Sequence, residues 1–293
     1  MGDSYTRRDF VVRTGILGAV AALGWLPGLG SSAAMAQSAD DLPLDQLGAL
    51  LRELARDTFD GFASMVVPGP DPYSVAQGVT SPRPGAIAAR ASSVAMDTFD
   101  RLIPLPDLAL ANIAVALAVG MSAPPVSLPP ALAGLPASVT DQLDEALRSY
   151  TENDQPIPVS VIMALVLNQA AVAVDPAAVS GPFLSPFARL SYGDKLAAMA
   201  QLEGATADVV ATVDAHLPEP ETGSAAGLIR FAINGLFAIV NFGSYGEHAV
   251  LDPVTRQLIG RPVGWEATGY QPDGPVAGWA ELRGYFHGHR AAD

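Results

Sequence analysis

The chain alternates between stretches with helical apolar spacing and stretches dense in proline and glycine. From about Leu44 to Val67 the apolar residues Leu47, Leu50, Leu51, Leu54, Phe62, Met65 and Val66 recur at steps of three and four. That spacing predicts an amphipathic helix. Pro68-Gly69-Pro70-Asp71-Pro72 stops it, and a Pro/Gly/Ser-rich loop continues to about Gly85. A second helix is predicted over Ala86–Ile103. Asp107–Met121 is strongly apolar and alanine-rich, Ser122–Pro136 is a proline-rich connection, and a short helix is predicted from Ser138 to Tyr150. Val159–Val174 is apolar nearly all round, the mark of a buried central helix. It is too short for a membrane span, and Asn168 and Gln169 interrupt it.

Further on, Ser191 is placed as the N-cap of a helix running to Glu203, with Asp194 three residues later standing where a capping box has Glu. Ala205–Leu217 and Ser224–Phe242 complete the helices. From Gly243 the periodicity is lost and aromatics, glycine and proline dominate, which predicts an extended C-terminal wrap. No run alternates long enough for a sheet. The expected fold class is all-α: a single helical domain with an irregular, aromatic/Gly/Pro-rich C-terminal segment.

The first 36 residues read as a targeting segment outside that domain, which then spans residues 37–293. Arg7, Arg8 and Phe10 form the core of a twin-arginine export signal, followed by a glycine-diluted apolar run to about Leu29. Ala34 and Ala36 supply a small-x-small cleavage site. The chain is therefore expected to be exported folded, to the periplasm or beyond, and to keep no membrane span after cleavage.

Charge narrows the partners. The formal net charge is −14, and Lys195 is the only lysine. An acidic surface repels phosphate backbones and anionic lipid, so nucleic acid is not an expected partner. There is no cysteine, which excludes disulfides, thiolate metal sites and C-x-x-C-H haem attachment.

Few residues of the chain fall into patterns that carry chemistry. No G-x-G-x-x-G follows a predicted strand and no phosphate-binding P-loop occurs, so no nucleotide cofactor is expected on this chain. Gly243-Ser244-Tyr245-Gly246 reads as a turn and not as a nucleophile elbow. Ser185 and Ser191 fall in cap or loop contexts. His248 beside Glu247 reads as a surface pair, His216 as a helix-end residue, and His287 with His289 as part of the terminus, so no metal site is assigned. Asp57 with Asp60, and Asp141 with Asp144 and Glu145, read as charge on exposed helix faces. No residue is assigned as catalytic. In the C-terminal segment Trp265, Tyr270, Trp279 and Tyr285 either anchor irregular backbone or form a partner surface.

Three features together resemble one family: the twin-arginine signal, "LSYGDKLAAMAQLE" with Phe187 three positions before its leucine, and "GRPVGWEATGYQPDGPVAGWAELRGYF". The second is similar to a family stretch with the pattern F-x-x-L-s-x-x-d-R-x-x-x-L-x-x-L-E, with Lys195 in place of the usual arginine. The third looks like a closing W-x-x-x-G-Y-p-G-P element, lengthened at Gln271–Pro275. The family is that of gluconate 2-dehydrogenase subunit 3. The resemblance covers about the last third of the chain and the signal. It implies a non-catalytic small subunit of an oxidoreductase complex, one that binds, stabilises and escorts a large flavoprotein dehydrogenase of the glucose-methanol-choline type through the twin-arginine translocase. FAD would belong to the partner, and the complex would be either released or held at the membrane. Two other readings stay open: an independent exported hydrolase, and a helical binder of an apolar small molecule with Asp107–Met121 and Val159–Val174 as pocket walls.

Overall fold

The computed structural model describes residues 44–101, 158–204, 214, 223–252 and 254–269. The fold is all-α. Among the described residues there are eight α-helices and one 3₁₀ turn, no strand, and a single antiparallel bridge between Leu251 and Leu258. The helices are α1 (Leu44–Val66), α2 (Pro72–Ala76), α3 (Ala91–Arg101), α4 (Val159–Val174), α5 (Pro186–Arg189), α6 (Tyr192–Glu203), α7 (Ala225–Tyr245) and α8 (Val263–Thr268). The predicted elements at 107–121, 122–136, 138–150 and 205–217 lie outside the described residues, apart from Asp214.

The core follows from the apolar periods. On α1, Leu51, Leu54, Phe59, Phe62 and Met65 are buried. On α4, every residue from Ser160 to Val172 is buried, as its all-round apolarity requires. This helix packs against α1, α3, α5 and α6. Phe59 meets Phe99 of α3 edge-on, and Phe62 meets Phe237 of α7 in the same way. Such pairs add about 1 kcal/mol each to the area they bury. Gly61 is required by packing, since a Cβ there would sit 2.6 Å from Ala188 Cα.

Polar groups seal the helix ends. Pro158 gives α4 no side-chain cap. Asp100 of α3 supplies one instead, accepting from Ser160 N at 2.8 Å and from Ser160 Oγ at 2.9 Å. Within the core, Asn168 Nδ2 donates to Thr58 Oγ1 at 3.0 Å, while Asn168 Oδ1 accepts from Phe187 N at 3.0 Å. The side chain that interrupts the apolar run of α4 thus satisfies the first turn of α5.

Several local expectations are corrected. The loop after α1 contains α2, started by Asp71, whose carboxylate accepts from Ser74 N at 2.9 Å. The second long helix begins at Ala91 and not Ala86, because Arg90 takes φ +53° and the chain turns there first. The turn at Pro176–Val179 and the helix α5 are too short to register as periods. Gly243-Ser244-Tyr245 is not a turn: it forms the last residues of α7, which ends at Gly246. After it the chain is not wholly irregular, since α8 follows and packs on α7. The Ser191 cap is present. Its hydroxyl accepts from Asp194 N at 3.2 Å and donates to the Asp194 carboxylate at 2.6 Å.

Candidate functional site

Two places in the described residues depart from the ordinary inside-outside distribution of side chains. The first is a sealed polar cluster where α1, α2 and α6 meet. Lys195 enters it from α6 and is completely buried. Its Nζ donates to Gln77 Oε1 at 2.8 Å and to the Gly61 carbonyl at 2.9 Å, and it lies 5.9 Å from the centre of the Phe187 ring. Gln77 is held in turn by Ser64, whose carbonyl accepts from Gln77 Nε2 at 2.8 Å. Tyr192 N donates to the Gln77 carbonyl at 2.9 Å, closing the start of α6 onto the end of α2.

The acceptors that Lys195 meets are a carbonyl and an amide, not a carboxylate. Burial therefore brings its ammonium down to about 7, and the charges of Asp71 and Asp57 only partly offset this. An amine of that kind serves as a nucleophile or base where substrate can reach it. Here the side chain has no solvent access, so its geometry is that of a bolt across three elements.

Beside this bolt lie two acids, Asp57 and Asp60, whose helical spacing alone suggests an exposed face. They are half-buried and bonded. Asp57 accepts from Tyr73 Oη and from Ser185 N, each at 2.7 Å. Burial pushes the Tyr73 phenol up, and the Asp57 carboxylate adds to the shift. Asp60 accepts from Ser92 Oγ. Burial raises the Asp60 carboxyl above the ordinary range, against the lowering effect of that hydroxyl. Each acid ties a loop or helix start to α1.

The second place is an open apolar surface in the C-terminal third. On α7 the residues Ile233, Leu236, Val240, Gly243 and Ser244 face the core, while Phe231, Ala238, Phe242 and Tyr245 face outward. Phe231 is 60% exposed and Phe242 72%. The ribbon after α7 adds Leu251, Val254 at 88% exposure, Leu258 and Ile259. Asp252 shapes its turn by accepting from Val254 N at 2.8 Å and Thr255 N at 3.1 Å. α8 then returns to α7 so closely that a Cβ on Gly264 would sit 2.6 Å from Tyr245 Cα. Arg83 Nη1 donates to the Ala267 carbonyl at 2.7 Å and ties α8 to the loop after α2.

The residues singled out from sequence fare unequally. Trp265 sits on α8 and is half-buried. Tyr270, Trp279 and Tyr285 lie outside the described residues, as do the signal residues Arg7, Arg8, Phe10, Ala34 and Ala36, and also His216, His287, His289, Asp141, Asp144 and Glu145. His248 is not an exposed partner of Glu247. It is half-buried, with Nε2 3.4 Å from the Arg90 carbonyl and a buried Nδ1 that has no hydrogen-bond partner among the described residues. Burial lowers its titration. Ser244 is buried and donates to the Val240 carbonyl at 2.7 Å, which occupies its hydroxyl within the helix. Ser185 is the N-cap of α5.

Among the described residues no group of three His, Asp or Glu side chains could hold a metal ion, and no helix is long and apolar enough to cross a membrane. Compared with known proteins, the chain matches no family model, no curated protein and no solved structure.

Proposed function

We propose that this chain is the non-catalytic small subunit of an exported dehydrogenase complex. In this reading it binds a large FAD-dependent partner of the glucose-methanol-choline type, stabilises it, and carries it folded through the twin-arginine route. The observation that carries the reading is the exposed apolar ribbon at Leu251, Val254, Leu258 and Ile259. It lies in the same C-terminal third as the W-x-x-x-G-Y-p-G-P-like element. Isolated exposed apolar residues are ordinary, but these four fall within nine residues of chain and offer a partner apolar contacts edged by the exposed Thr255, Arg256 and Gln257. The paired Arg7 and Arg8 supply the other half, because folded export suits a cargo that must be assembled with its cofactor first.

The test is purification of the exported protein from its native host through a C-terminal tag. A larger companion with oxidised-flavin absorbance is the expected result. A colourless protein that elutes without a companion removes the reading.

The binder of an apolar small molecule draws less support. Val159–Val174, one of its two pocket walls, is packed against α1, α3, α5 and α6 and buried over most of its length.

A further inference from the structure

The outward face of α7 has a symmetry that the ribbon lacks. Phe231 and Phe242 are eleven residues apart, which is three helical turns, so they stand in one line about 16 Å from each other. Between them the line holds Gly235 and Ala238, flanked by Asn234 and Asn241. A Cβ on Gly235 would meet nothing within 4 Å, so the face dips there into open space. The order along the stripe is large, small, small, large. Reversing the helix direction about a point between Leu236 and Phe237 maps Phe231 onto Phe242 and Gly235 onto Ala238. The stripe is complementary to itself in antiparallel orientation.

We propose that two copies of this chain pair through the outward faces of α7, antiparallel about a two-fold axis that passes between Gly235 and Ala238. Each Phe231 then packs beside the partner's Phe242, and the two shallow centres let the helix backbones approach closely. A closed two-fold pairing of this kind uses one patch twice and leaves no open end.

Charge and area both favour a second copy as the occupant. The chain carries −14 overall, so two copies repel wherever acidic surfaces meet. The stripe is uncharged: apart from Tyr245 at its end, the only ionisable residue in the α7 sequence is Arg230, which precedes the run from Phe231 to Phe242. Along α7 itself, like-charged copies can therefore meet without opposing carboxylates. At their partial exposures, three aromatics of ~150–250 Å² each leave roughly 350 Å² open, and the small residues between them with the exposed Asn234 and Asn241 bring the face to roughly 500 Å² per copy. The pair buries roughly 1,000 Å², the lower bound for a specific interface.

The inference does not depend on the escort reading, and its test is read without a flavoprotein. The chain has no cysteine, so an introduced thiol is the only one present. In the full chain expressed in its native host, Ala238→Cys is expected to give a disulfide-linked band at twice the subunit mass on mild oxidation. Phe231→Cys alone is not, because antiparallel pairing holds the two introduced thiols about 16 Å apart along the helix axis. Adding Phe231→Glu and Phe242→Glu to Ala238→Cys is expected to cut the linked fraction at least tenfold, with the circular dichroism unchanged. An exposed control, Ala177→Cys, reports random collision. An Ala238→Cys variant that stays monomeric overturns the proposal in either of two ways. If its thiol reacts freely with maleimide, the face is open. If the thiol is protected, something other than a second copy covers it. Efficient self-linking of Phe231→Cys overturns the antiparallel arrangement.

Discussion

The cluster around Lys195 and the outward face of α7 are opposite departures from the same rule. One puts the chain's only lysine where no water reaches, and the other leaves two phenylalanines mostly in water. Lysine is almost never fully buried unless paired, and large exposed apolar patches in soluble proteins mark contacts. The first departure is resolved inside the chain, by two acceptors and an aromatic ring. Among the described residues nothing covers the second. Stability should therefore respond to changes in the first region and hardly at all to changes in the second, while association should do the reverse.

The largest effect belongs to Lys195→Ala. It removes the bolt, leaves Gln77 Oε1 without its strongest donor, and opens a cavity between α1 and α6. A loss of about 3 kcal/mol is expected, read as a lower urea midpoint at unchanged slope. Lys195→Met should lose far less, because it refills the volume and removes the cost of burying an amine. If the alanine variant were as stable as the parent, the bolt would have no structural role.

The same residue gives the chain a pH signature. The folded amine titrates at about 7 and the unfolded one near its ordinary 10.5. Between those values the unfolded chain holds a proton that the folded chain has shed. Stability therefore gains from Lys195 as pH rises from 7 toward 10.5, and that gain is given back as pH falls to 7. The slope it supplies is at most about 1.4 kcal/mol per pH unit. Subtracting the Lys195→Met stability at each pH isolates it. Parallel pH curves for the two proteins would mean that the buried amine keeps its proton.

A smaller change is expected at Asp57. Asp57→Asn can still accept one of the two bonds from Tyr73 Oη and Ser185 N, but its amide places a donor against the other. About 1–2 kcal/mol of stability should be lost, since one part-buried donor is left unpaired. The start of α5 should also show faster amide exchange.

These contrasts explain how much could be read in advance. Leu44–Val66 and most of Ala225–Tyr245 are legible because their apolar residues keep one period over several turns, Val159–Val174 because it is apolar all round, and Tyr192–Glu203 because Ser191 and Asp194 mark its start. The buried role of Lys195 is not, because its partners Gly61 and Gln77 lie 134 and 118 residues away. A lysine on an amphipathic helix reads as solvent-facing until those partners are known. Asp57 and Asp60 are misplaced for the same reason. Helical spacing puts them on one face, but only the packing of Ser185 and Ser92 against α1 shows that the face is covered. Gly243-Ser244-Tyr245 misleads in the other direction, since local glycine content suggests a break where packing on α3 continues the helix. A Cβ on Gly243 would lie 3.1 Å from Ala91 Cα, which is why glycine stands there.

The smallest expected change in stability is the sharpest test of the contrast. Val254 is 88% exposed at the tip of the ribbon, and its side chain has almost nothing to lose on unfolding. Val254→Ser should alter folding stability by less than about 0.5 kcal/mol, the usual range for a surface position. The backbone bond from Val254 N to Asp252 survives the substitution, so the turn keeps its shape. Yet if the ribbon is where a companion sits, losing that apolar contact should weaken retention of the companion in the tagged purification, and Val254→Ser combined with Ile259→Ser should weaken it further. The α7 stripe is untouched in both variants, so Ala238→Cys cross-linking should persist in the same background. Loss of the companion with retention of the cross-link would assign the two surfaces to two different partners. Loss of both together would mean that ribbon and stripe form one continuous contact. Loss of neither would return the ribbon to the ordinary apolar fraction of a protein surface.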